Sequence, residues 1–167
     1  MRLLIAGYTF HCWELLGMWS WTPAFFAAVI AISGSNFGET VHFGAYLVAS
    51  MHLVGALASV TMGRLADLLG RRVVLAQVAA IGDSPVLPTA LTEMVEPGHL
   101  GSILAVRSLL GFGAGGIAPL VFGAILDLTN PPNTAPETWG WAFTILGLGG
   151  LCATLSAILY KEPGIPS

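Results

Sequence analysis

His11 and Glu14 lie three residues apart in an apolar run. That spacing puts both on one face of a helix. An imidazole beside a carboxylate can carry a proton or contact a solute, and an ionisable group inside a membrane span is a functional candidate by default. Asp83-Ser84-Pro85 offers a second site, a carboxylate and a hydroxyl where a proline would free backbone carbonyls as ligands. The plainer readings are a structural Glu–His hydrogen bond and a polar turn. His52 reads as a packed histidine, His42 as interfacial and Arg107 as a marker of the cytoplasmic boundary. Cys12 and Cys152, both in apolar runs, make neither a metal site nor a disulfide framework. No Walker loop, His-Glu-x-x-His or Gly-x-Ser-x-Gly pattern occurs. No catalytic residue, metal or cofactor is therefore expected, and the chain does not read as an enzyme.

These groups must be positioned by elements built for lipid. Of 167 residues, 55% are apolar and only 9% charged, against about 25% charged in a soluble domain. The mean hydropathy is +0.80. A bilayer is the solvent such a chain needs. A net charge of −3 gives no case for nucleic-acid binding.

A single membrane domain over 1–167 is expected, an all-α polytopic helix bundle of about five transmembrane segments. The spans are placed at about 3–32, 40–62, 73–92, 101–126 and 139–160. The first is too long for the h-region of a signal peptide and reads as a membrane helix, with Pro23 as its natural break. Trp19 and Trp21 suit an interfacial belt, as do Trp139, Trp141 and Tyr160. In the second span His42, Ala45, Ala49, His52, Ala56, Ser59 and Gly63 form one stripe that would let helix backbones approach. Gly111-x-x-x-Gly115, with Gly123 beyond it, predicts helix packing in the fourth.

Charge sets direction. Gly63 to Arg72 holds three of the six basic residues and reads as a cytoplasmic loop. The stretches 33–39 and 128–138 lack Lys and Arg and read as outside loops. The first span then runs in to out, the second back, the fourth out and the last back. Both ends of 73–92 fall inside. Two crossings would need about 40 residues, so the run is re-entrant, breaks the charge rule, or has lost a helix.

The pattern Gly63-Arg-Leu65-Ala66-Asp67-Leu68-Leu-Gly70-Arg71-Arg72 resembles the signature loop of the major facilitator superfamily. Leu68 departs from it, because the family usually has a basic residue there. Glu93 to Pro97, Gly101 and the Gly-rich run ending in Gly123-Ala-Ile-Leu-Asp127 are similar to the loop and helix after helix 10 of that family. Leu100 stands where the family has Arg. The resemblance implies half of a major facilitator fold, a partial C-terminal half with helices 7, 8, 10, 11 and 12 and with helix 9 missing. It implies a conformational latch at Gly63, Asp67, Gly70, Arg71 and Arg72. It places His11, Glu14, Asp83 and Ser84 on cavity helices, as substrate or proton-coupling residues.

The expected function is transport of a small solute by alternating access, as an incomplete half of a secondary transporter. The alternative is a non-transporting membrane scaffold or partner subunit. Expected partners are the lipid bilayer, an unidentified solute, and a first-half chain or a homo-oligomer. The expected location is multi-pass in the bacterial cytoplasmic (inner) membrane with the N-terminus in the cytoplasm.

Overall fold

The computed structural model describes residues 1–32, 37–69, 91–92, 95–132 and 137–160. Four helices account for nearly all of them: α1 (Arg2–Ile32), α2 (Phe37–Leu69), α3 (Leu100–Thr129) and α4 (Gly140–Leu159). No strand occurs among the described residues. Among these residues, α1, α3 and α4 are long and apolar enough to cross a membrane. At 1.5 Å per residue, the 20 residues of α4 match a hydrocarbon core of about 30 Å. The 31 residues of α1 and 30 of α3 reach about 45 Å, enough to enter both headgroup layers. In α2 the apolar stretch is shorter, His42–Leu57. Of the five expected spans, three are such helices and a fourth falls on α2 among the described residues. Of the run 73–92, only Leu91 and Thr92 are described, and both are helical.

Two sequence expectations need correction. Pro23 does not break α1, which continues through it. Proline costs one backbone donor, here the one that would reach the Trp19 carbonyl, and a membrane helix tolerates that loss. In the turn before it, the Thr22 hydroxyl donates to the Met18 carbonyl at 2.6 Å. Nor does the basic segment begin as a loop. Gly63, Arg64 and Asp67 belong to the last turns of α2. A lone glycine costs a helix only about 1 kcal/mol, and the residues after it up to Leu69 include no proline.

The helix directions follow from paired contacts. Tyr8 of α1 lies against Gly111 of α3, Leu16 against Gly115, and Trp21 against Gly123. Positions rise together, so α1 and α3 are parallel. Phe25 meets Phe143 with ring centroids 5.2 Å apart, Gly17 meets Leu146, and Glu14 meets Gly150. Those positions run oppositely, so α1 and α4 are antiparallel. Phe26 beside Gly44 and Trp19 beside His52 (centroids 4.8 Å) make α2 antiparallel to α1 as well. Consequently α2 ends and α3 begins at the same face of the bundle. That agrees with the directions reached by counting charges.

The core sits where α1, α3 and α4 converge, around Ala118, Phe122, Ala142 and Leu146. Trp21, Trp139 and Phe143 pack against it. Trp21 stacks on Phe122 at 5.2 Å, and its indole N–H donates to the Pro119 carbonyl at 2.9 Å. Thus Trp21 and Trp139 are partly buried against the core, and Tyr160 is 4% exposed. Trp141, at 67%, is outward-facing. A buried indole needs an acceptor for its N–H, and a carbonyl beside a helical proline provides one.

Candidate functional site

Glu14 lies near the middle of α1 and faces the middle of α4. Its carboxyl rests against Gly150, where a β-carbon would collide with it. One residue away, Trp13 covers Gly149 and points its indole N–H at the Ile145 carbonyl, 3.4 Å off. Two adjacent glycines thus cut a notch in α4 that receives an indole and a carboxylate from α1. The notch exists because glycine brings no side chain to the interface, which is how small residues let membrane helices approach. Glu14 is half-buried, and His11 is 4% exposed. His11 shares a buried stripe with Leu4, Gly7 and Thr22 at helical spacing.

The opposite face of α1 meets α3 through the same chemistry. Tyr8 and Cys12 lie against Gly111, Leu16 and the Cys12 carbonyl against Gly115, and Trp21 against Gly123. Tyr8 in turn carries Arg107, whose guanidinium carbon is 3.6 Å from the ring centroid. That is a cation–π contact, worth more once desolvated. So α1 packs on glycines of both α3 and α4, with Glu14 within the α4 seam.

No family model, curated protein or solved structure matches this chain.

The remaining sequence candidates divide by location. Gly63 and Asp67 lie on α2, with Arg64 exposed beside them. Gly70, Arg71, Arg72, Asp83 and Ser84 lie outside the described residues. Of the small-residue stripe of α2, His52 meets Trp19 of α1, but its described alanines do not line that seam. Ala45, Ala49 and Ala56 are exposed, while Gly44 is buried and Leu47 and Val48 are half-buried. His52 donates its Nδ1–H to the Val48 carbonyl at 2.8 Å and touches Trp19. No group of three or more His, Cys, Asp or Glu among the described residues could hold a metal.

Sequence reasoning missed Gly149 and Gly150. Their signal was present, since Gly147-x-Gly149-Gly150 marks the middle of the last span. What pattern alone lacked was the partner that the notch receives.

Proposed function

We propose that this chain is an incomplete half of a major facilitator-type secondary transporter, which moves a small solute by alternating access. The observation that carries the reading is the position of Glu14. A carboxylate halfway along a membrane helix is costly, and such groups mark solute and proton paths. Midplane sites between rocking helix units are how secondary transporters work. On this reading Glu14 exchanges a proton, and His11 on the neighbouring face assists. The Gly63–Arg72 pattern supports the family assignment and the latch role, and it rests on the residues themselves. Five spans, with α1, α2, α3 and α4 as the family's helices 7, 8, 11 and 12 and the 73–92 run as helix 10, belong to the same proposal. So do a bacterial inner-membrane location and a cytoplasmic N-terminus. A first-half chain or a second copy completes the cavity.

The test is electrical. The chain, purified with whatever copurifies, is reconstituted in liposomes on a solid-supported membrane and challenged with pools of sugars, amino acids, organic anions and organic cations. One pool is expected to give a pH-dependent transient current that Glu14→Gln abolishes. Silence across all pools from folded protein, or a current indifferent to Glu14→Gln, overturns the proposal and favours a non-transporting scaffold.

A further inference from the structure

We infer that the seam between the first halves of α1 and α3 holds one tail of an anionic phospholipid, with Arg2 at its phosphate. A groove of about 400 Å³ opens there. Ile5, Ala6, Thr9 and Phe10 form its α1 wall, and Val106 and Leu110 its α3 wall. The α1 residues recur at steps of three and four from Arg2, so they form one helical stripe with the charge at its end. From Arg2 to Phe10 the stripe is about 12 Å long. One leaflet of hydrocarbon is about 15 Å deep, so the groove spans most of a tail's length and puts Arg2 at the headgroup level.

The wall chemistry fits a hydrocarbon tail. The one hydroxyl on it, that of Thr9, already donates to the Ile5 carbonyl of its own helix at 2.8 Å. Phe10, Val106 and Leu110 are exposed to the surroundings of the bundle, as residues facing lipid must be. On α3 the residue after Val106 is Arg107, and its guanidinium is laid on Tyr8. Arg2, exposed at the open end, is the lining residue positioned for a phosphate. Charge at one end and an apolar trough behind it select an anionic lipid over a zwitterionic one.

Native mass spectrometry of the delipidated chain with added phosphatidylglycerol or phosphatidylcholine tests this. One phosphatidylglycerol adduct is expected to dominate. Arg2→Gln should weaken it roughly fivefold, the worth of one basic residue at an anionic surface, while Arg2→Lys keeps it. Ala6→Leu, which fills the trough, should lower binding of both lipids. Circular dichroism checks that each variant remains helical, and Arg2 is exposed enough for its exchange to leave the fold intact. Equal binding of the two lipids by the unaltered chain overturns the inference. So does a phosphatidylglycerol adduct that survives both Arg2→Gln and Ala6→Leu, or one displaced by glycerol phosphate alone.

Discussion

The Glu14 carboxyl rests against Gly150, near the midpoint of both α1 and α4. A carboxylate is thereby held within the bundle by the absence of a side chain on its neighbour. A methyl at Gly150 would meet the far end of a flexible side chain, so Gly150→Ala should shift Glu14 with little loss of stability. At Gly115 the outcome differs. A methyl there would meet Leu16 and stand 3.1 Å from the Cys12 carbonyl, which is backbone and cannot swing away. We expect Gly115→Ala to cost about 1–3 kcal/mol, the usual penalty of overpacking. Gly113→Ala, with nothing within 4 Å, should be neutral or gain up to about 1 kcal/mol of helix propensity. Unfolding in mixed micelles ranks the three. A Gly115→Ala variant as stable as Gly113→Ala would refute the close approach of α1 and α3.

The α3–α4 connection is tied by one side chain. The Asn130 amide group donates to the Leu126 and Thr138 carbonyls, each at 3.0 Å, and its oxygen accepts from the Thr138 backbone N–H at 2.6 Å. Asn130→Ala removes these bonds and the one its oxygen accepts from the Thr138 hydroxyl at 3.0 Å, each worth about 0.5–1.5 kcal/mol net and less where water replaces it. The expected result is faster proteolytic cutting between Asn130 and Thr138 with the helices intact. Unchanged cutting rates would mean that the loop does not depend on this clamp.

Helix direction makes a prediction about sidedness. Leu68 near the end of α2 and Gly98 just before α3 should lie at one membrane face, and Ile32 and Leu128 at the other. All four are exposed. In a background of Cys12→Ala and Cys152→Ala, single cysteines at these positions should label from matching sides in those pairs. Labelling of Leu68→Cys and Gly98→Cys from opposite sides would show that 70–99 crosses the membrane once.

Hydropathy located three helices well, because a span of lipid demands an unbroken apolar run whatever its neighbours are. The expected 101–126 and 139–160 became Leu100–Thr129 and Gly140–Leu159. Direction was legible too, since charge excess is a property of single loops. Facing was not. Of the stripe from His42 to Gly63, His52 meets α1, yet Ala45, Ala49 and Ala56 are exposed and Gly44, outside the stripe, is buried against Phe26. Nor did the pattern show that Trp21 donates inward to the Pro119 carbonyl. In a helix that is apolar all round, amphipathic pattern loses its power to say which side is in. For the site, Glu14 stood out by its cost in lipid, while the Gly147-x-Gly149-Gly150 cluster that receives it gave no sign of its partner.

The hub position of α1 has a consequence for how the protein is made. Trp13 and the Ile145 carbonyl are 132 residues apart in sequence. During synthesis α1 leaves the ribosome well before α3 and α4, so it enters the bilayer before either glycine seam exists to receive it. Until α4 arrives, Glu14 is a membrane carboxylate without its notch. A chain cut short before Gly149-Gly150 would lack the surface against which Glu14 and Trp13 pack.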